Sequence, residues 1–409
     1  MATLLLLIIY LIFISLGLPD SILGSSFPAI ADNLQISENI AGYISPIVSL
    51  GTILSSLISA RLVKRFKTQR VVFFSVLLTA IGLLCFSFIT KDYYWAFFLA
   101  AIPLGLGAGG IDAALNNYVA LHYKAIHMNW LHACWGVGAS IGPLIIGAFI
   151  DSDNDSAGWN YGVLTVAIIL FVISLIIFLS LPLWNKMVAK EVKEEKKQPV
   201  EHAYKTLFAN PVFYLSMIGF FCYTALESTS GLWIATYFNQ TQNISTDLSA
   251  TFAASFYIGI CVGRFICGPL SLKIAEKNMI RIGESLLLVG VILTLIPTNY
   301  IFSLVGFIIV GVGCAPIYPA IIRMTPYRFS KALSAEAIGL EMAIAYCGNL
   351  SIPPLFALTA KSLNNYRILP YFLLILAVLM ILVHEISNHL LCRRDKMLTE
   401  EEKEQYSTI

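Results

Sequence analysis

Apolar runs long enough to cross a bilayer follow one another along almost the whole length of this chain. A hydrocarbon core about 30 Å thick takes roughly 20 helical residues. The runs predict helices over 4–29, 40–60, 71–90, 94–120, 130–150, 160–183, 211–237, 248–272, 279–297, 300–323, 335–359 and 367–391. Backbone N–H and C=O groups find no water inside a bilayer, so segments of this kind satisfy one another as helices. Composition agrees: of 409 residues 58% are hydrophobic and 12% charged, about half the charge of an ordinary soluble domain. The first run, from Leu4, is too long for a signal-peptide core and shows no small-residue cleavage site, so it reads as a retained first helix.

Orientation follows from the basic residues. With the N-terminus placed in the cytoplasm, one set of loops holds Arg61, Lys64, Arg65, Lys67 and Arg70, then Lys124, then the Lys186–Lys205 cluster of six lysines. The later loops and tail on that side add Lys273, Lys277, Arg281, Arg323, Arg328, Lys331, Arg393, Arg394, Lys396 and Lys403, so that 22 of the 26 basic residues lie on one side. The other side has Lys91, Lys361 and Arg367, and the acids Asp151, Asp153 and Asp155; Arg264 falls within a helix. An even number of spans with both termini cytoplasmic is the expectation. The chain then divides into a six-helix bundle over 1–183, a charged cytoplasmic linker over 184–210 containing KEVKEEKK, a second bundle over 211–392 and a cytoplasmic tail over 393–409.

The two bundles overlay in sequence. Gly51, Ala60, Leu62 and Arg65 meet Gly259, Gly268, Leu270 and Lys273 at an offset of 208, and GLGAGGIDAA at 105–114 meets GVGCAPIYPA at 311–320. Gly142-Pro143 meets Pro353-Pro354, and Asp20 falls opposite Glu227. Halves of equal topology form a parallel repeat about an axis along the membrane normal, with a binding site between them near the midplane.

A charge in the bilayer core costs at least ~2.5–3.5 kcal/mol and so needs a partner, a water-filled cavity or a function. Asp20, Asp112, Glu227, Arg264 and Glu341 are the candidates. Asp20 sits in GLPDSILGSSFP, where Pro19 frees a backbone carbonyl and Gly17 and Gly24 loosen the helix; it suits a proton or sugar hydroxyls, or a structural tie to another helix. Asp112 and Asn116 are four residues apart and share a helix face; an acid and an amide together suit a titrating site or polyol recognition, against a tie between helices. Glu227, followed by Trp233 and Tyr237, offers a carboxylate with an aromatic ring for a pyranose face, or a buried hydrogen-bonded acid. Arg264 and Glu341, both expected in the inner halves of their helices, are read as a gating pair. His132 is placed at the start of the fifth helix, as a cap or a proton relay. Trp135, Tyr257, Tyr318, Tyr346 and Asn349 are candidate linings of a central cavity, with packing as the plainer role for any one of them.

The eight cysteines show no CxxC and no Cys/His metal spacing, and six lie in apolar runs, where Cys acts as a small hydrophobe. No metal cluster, phosphate-binding loop or nucleophile–base constellation stands out, so neither an enzyme nor a cofactor is expected. A net charge of +2 gives no reason to expect nucleic acid.

The segments GGIDAALNNYVALHY, LHACWGVGASIGPL, YTALESTSGLWIATY, GRFICGPL and GVGCAPIYPAII resemble the major facilitator superfamily, and within it the fucose–proton symporter family of sugar permeases. That resemblance implies twelve transmembrane helices in two six-helix pseudo-repeats, a cell-membrane protein acting as a monomer, and no cofactor. It also implies proton-coupling and sugar-recognition roles for Asp20 and Asp112. One departure is plain: the superfamily's loop after the second helix usually reads G-x-L-x-D-R-x-G-R-R, and ARLVKRFKTQR puts Ala60, Lys64 and Lys67 in place of Gly, Asp and Gly. The Asp-based lock at that loop is then absent or rebuilt.

The expectation is a proton-coupled importer of a monosaccharide or related polyol. Its substrate residues would be Asp20, Asp112, Asn116, Glu227, Trp135, Trp233, Tyr318 and Asn349. A drug or metabolite exporter on the same fold is the main alternative, and a nutrient sensor a weaker one, since linker and tail are too short for a signalling module.

Overall fold

A computed structural model of the chain describes residues 2–123, 125–151, 153–154, 156–187, 203–296, 299–330 and 332–398. The centre of the predicted linker, Lys124, Asp155, Lys331 and the tail beyond 398 lie outside the described residues. The first half contains α1 (Ala2–Asp20), α2 (Ile22–Leu34), α3 (Ile40–Phe66), α4 (Thr68–Ser87), α5 (Ala96–His122), α6 (Ala125–Phe149) and α7 (Trp159–Met187). After the short α8 (Ala203–Phe208), the second half contains α9 (Pro211–Gln242), α10 (Thr246–Leu270), α11 (Glu276–Thr294), α12 (Tyr300–Phe329), α13 (Ser334–Leu363) and α14 (Leu369–Asp395).

The first predicted span is broken into α1 and α2 at Ser21, two residues after Pro19. Proline supplies no N–H to the helical ladder, and the break leaves Asp20 at the end of α1. With α1 and α2 counted as one span the described residues form twelve, ten of which are apolar and long enough by composition alone. The other two are α9, which carries Glu227 and a run of hydroxyl residues, and α11, which carries Arg281 and Glu284. Several helices outrun their predicted ends; α14 extends to Asp395, so the tail begins later than residue 393.

Helix pairing repeats between the halves. α3–α5, α4–α5, α4–α7 and α1–α6 pack in the first half; α10–α12, α11–α12, α11–α14 and α9–α13 pack in the second. The match extends to single atoms. A Cβ on Gly105 would lie 2.1 Å from the carbonyl oxygen of Val48, and one on Gly311 would lie 2.1 Å from that of Phe256. Val48 and Phe256 stand at the same offset of 208 as Gly51 and Gly259. Small residues at these crossings let two helix backbones touch, which is how helices associate where lipid removes the hydrophobic drive.

The outside of the bundle is apolar: Leu57 is 73% exposed, Leu179 68% and Ile375 65%. Large side chains exposed in such numbers would aggregate in water, and they fit a lipid surround. The chain is a multi-pass membrane protein. The halves meet through α6–α10, α3–α13 and the contacts of α2 with α9 and α10. The face bearing the α3–α4, α7–α9 and α12–α13 connections is called the basic face below.

Candidate functional site

Where the halves meet lies a cavity of about 360 Å³, with walls from α1, α2, α3, α4, α5 and α6 on one side and α9, α10, α12 and α13 on the other. The break after Asp20 leaves its side chain exposed to this space rather than packed against a neighbouring helix. Its Oδ2 accepts a 2.7 Å hydrogen bond from the indole Nε1 of Trp135 on α6. The Arg264 guanidinium of α10 lies over that indole, 4.9 Å from the ring centroid. Its Nη1 donates to the His132 carbonyl at 3.0 Å, and its Nη2 lies 3.9 Å from Glu227 Oε1 on α9. A continuous polar chain therefore runs from Asp20 through Trp135 and Arg264 to Glu227, and it crosses from the first half to the second.

Asp112 lines the same cavity from α5 and accepts from Asn116 Nδ2 at 2.8 Å. Ser45, Ser49 and Thr52 bring hydroxyls along one face of α3, while Ser228, Tyr257, Tyr318, Tyr346 and Asn349 supply polar groups from the second half. The lining is mixed, with Leu16, Leu23, Ile44, Phe86 and Leu232 between the polar groups. Three carboxylates face one guanidinium, so the fully ionised cavity carries a formal charge of −2. Like charges in a water-poor interior repel strongly. A bound proton or other cation relieves that repulsion.

Toward the face opposite the basic one, the cavity is sealed by contacts between the halves. The Gln240 amide donates to Glu38, and Tyr366 donates to Asn39 at 3.3 Å. Ser156 bridges Asp32 at 2.6 Å and Thr246 at 2.7 Å. Toward the basic face, His132, Arg264 and Tyr318 also line a second cavity of about 40 Å³, which continues past Ser271 to Arg323.

The model of the Major Facilitator Superfamily matches this chain twice, over residues 9–256 and 236–391. The chain belongs to that superfamily. Among its relatives, the glucose/mannose transporter GlcP of Bacillus subtilis is 26% identical, with 88% of each chain covered. Bypass of stop codon protein 6 of Saccharomyces cerevisiae is 24% identical over 87% of this chain and 76% of its own. The superfamily fold is seen in solved structures of a bacterial homologue of the human lysosomal transporter Spinster (TM-score 0.72, 13% identity, 94% of this chain and 96% of that one). It is seen again in the D-xylose–proton symporter (0.70, 15%, 92% and 96%) and in the E. coli fucose:proton symporter FucP (0.62, 13%, 95% and 97%).

Of the substrate residues expected from sequence, Asp20, Asp112, Glu227, Trp135, Tyr318 and Asn349 line the cavity of this superfamily member, and two do not. Trp233 is fully buried; its Nε1 donates to the Pro353 carbonyl and its ring packs on Phe356. Six residues along a helix turn a side chain by about 240°, so Trp233 points away from Glu227's face. The aromatic rings near Glu227 in the cavity come instead from Trp135 and Tyr257. Asn116 is absent from the lining and acts on Asp112.

The expected pairing of Arg264 with Glu341 is also corrected. Arg264 has Glu227, Trp135 and His132 as partners. Glu341 is fully buried; it accepts from Ser216 at 2.5 Å and Thr325 at 2.6 Å and lies 3.7 Å from Arg328. Arg328 was assigned to a loop by sequence but is 2% exposed in the last turn of α12. Sequence gave no signal for this, since a basic residue at a span end reads as orientation charge. His132 does not begin its helix: α6 starts at Ala125, and His132 faces the cavity with Phe13 edge-on at 5.6 Å. Glu284 and His384, neither singled out by sequence, form a buried 2.5 Å pair between α11 and α14. The hydroxyl row of α3 was missed too, although the spacing of Ser45, Ser49 and Thr52 marks one helix face.

Proposed function

We propose that this protein is a secondary active transporter that couples proton entry to import of a monosaccharide or related polyol by alternating access. The observation that carries the reading is the cavity between the halves, in which Asp20, Asp112 and Glu227 face a single Arg264 among aromatic and hydroxyl groups. Carboxylates, Asn349 and serine hydroxyls accept and donate in the pattern a polyol requires, and the Trp135 ring offers a flat face for a pyranose. The excess of two negative charges favours uptake of a cation with the solute. Names among the relatives point the same way, including a glucose/mannose transporter, putative glucose/galactose transporters and a D-xylose–proton symporter.

In this reading Asp20 and Asp112 exchange the proton. Asp20 sits at the helix break, open to the cavity and tied to Trp135. Asp112 is held by Asn116. Arg264 is the gating element: held by Glu227 within the second half, it reaches the His132 carbonyl and the Trp135 ring of the first, and those two contacts must part when the basic face opens. Glu341 holds the second half rigid rather than gating. The bundles 1–183 and 211–392 rock about the cavity, joined by the 184–210 linker. The distribution of Lys and Arg favours a cytoplasmic basic face, which puts both termini on the cytoplasmic side of a cell membrane. The working unit is a monomer.

Uptake of a labelled monosaccharide panel into proteoliposomes, with and without an inward proton gradient, tests the proposal. One sugar whose uptake rises with the gradient and collapses with a protonophore supports it. Absence of sugar uptake by folded protein overturns it in favour of export of another solute.

A further inference from the structure

A third cavity, of about 670 Å³, opens at the basic face between the ends of α11, α12 and α14, away from the central site. Two carboxylates line it, and both are already held. Glu385 receives Arg281 Nε and Nη2 at 2.6 Å each. Asp395 receives Arg394 at 2.9 Å and the Tyr327 hydroxyl. Two cations of the lining, Lys277 and Lys396, are exposed and have no ion-pair partner among the described residues. The cavity therefore presents uncompensated positive charge at the end of a helix seam.

The same seam is apolar further into the membrane. Ile282, Leu286 and Val289 of α11 and Leu379, Leu382 and Ile386 of α14 are exposed at helical spacing, and the rows start beside the cavity's Arg281 and Glu385 and run away from Lys277 and Lys396. Cationic groups at the membrane surface with two apolar rows leading into the bilayer match a phospholipid: phosphate at the end, acyl chains along the seam. A free anion would have no use for the rows. A zwitterionic lipid would leave the lysine charge uncompensated.

We propose that this cavity binds the headgroup of an anionic phospholipid of the adjoining leaflet, with Lys277 and Lys396 at its phosphate. The inference is independent of the transported solute. It places the lipid on the helices that hold the buried Glu284–His384 pair, in which Glu284 is about one turn from Arg281 and His384 is next to Glu385.

The test is native mass spectrometry of the full chain purified in detergent, with added phosphatidylglycerol or phosphatidylcholine. Phosphatidylglycerol should be retained at one molecule per chain in preference to phosphatidylcholine. A basic residue near an anionic surface contributes about a fivefold change in affinity, so Lys277→Gln/Lys396→Gln should weaken retention roughly 25-fold. Lys277→Arg/Lys396→Arg should keep it, which separates lost charge from a damaged fold. Equal retention of both lipids overturns the proposal, as does undiminished phosphatidylglycerol on the glutamine variant. Displacement by glycerol 3-phosphate as effective as by the lipid overturns it as well, because the pocket would then take a free anion.

Discussion

Replacing Glu341 by Gln removes one charge from the most enclosed ion pair in the second half and changes almost nothing else. The two hydroxyls donate to different carboxylate oxygens at 2.5 and 2.6 Å; the amide oxygen replaces one acceptor, and the amide N–H can donate to the other hydroxyl once that hydroxyl turns its own proton away. Arg328 cannot be satisfied in the same way. It is 2% exposed, it keeps the neutral Ser216 hydroxyl at 2.8 Å in place of a carboxylate 3.7 Å from its Nη1, and its Nε has no partner among the described residues. At that distance and an effective dielectric of about 20, the lost attraction is roughly 4–5 kcal/mol. Breaking a buried pair by removing one partner costs about 3–5 kcal/mol, whereas replacing both partners by apolar groups of similar volume is near neutral or stabilising by about 1–4 kcal/mol. Glu341→Gln should therefore lose about 3–5 kcal/mol, and Arg328→Met/Glu341→Leu should regain most of it. The assay is unfolding of detergent-solubilised protein followed by tryptophan fluorescence, run as a double-mutant cycle. A double variant as unstable as the two single losses summed would refute the pairing. A Glu341→Gln loss below about 1 kcal/mol would show that solvent reaches Arg328.

Three further outcomes are expected. Asp112→Asn should abolish gradient-driven sugar uptake while sparing part of sugar exchange between the two sides; retention of both by folded protein removes Asp112 from coupling. Glu38, outside the spans, is pushed up to about 7 by burial in the seal, with the Gln240 hydrogen bond opposing. A raised carboxyl favours the closed seal fully below the ordinary value of 4.5, and that advantage is lost as pH rises to about 7. Spin-label distances between the α2–α3 and α9–α10 turns should grow from pH 5 to pH 8 and stop doing so in Glu38→Gln; identical distances at both pH values in the unmodified protein would sink the idea. Lys67 stands where the superfamily's loop has its second Gly and adopts φ +70° and ψ 152°, a conformation that costs a side-chain-bearing residue about 1–3 kcal/mol. Lys67→Gly should raise stability by about 1 kcal/mol, and a lowered unfolding midpoint would show that the Lys67 side chain has an offsetting role.

The sequence alone determined the number of spans, their repeat and the identity of the costly residues. Each follows from a one-dimensional rule: a bilayer of fixed thickness, a constant offset near 208, and charges that lipid will not accept. Asp20, Asp112 and Glu227 were legible for that reason. Partnership was not, because it depends on where helices far apart in sequence cross. Tertiary structure gave Arg264 to Glu227 and Trp135, gave Glu341 to Arg328, and turned Trp233 into the packing of α13. It also showed Lys67 holding a glycine's backbone conformation, and it left Lys277 and Lys396 without ion-pair partners among the described residues. Hydropathy records what each residue costs in lipid, and only the packed helices decide which neighbour offsets it.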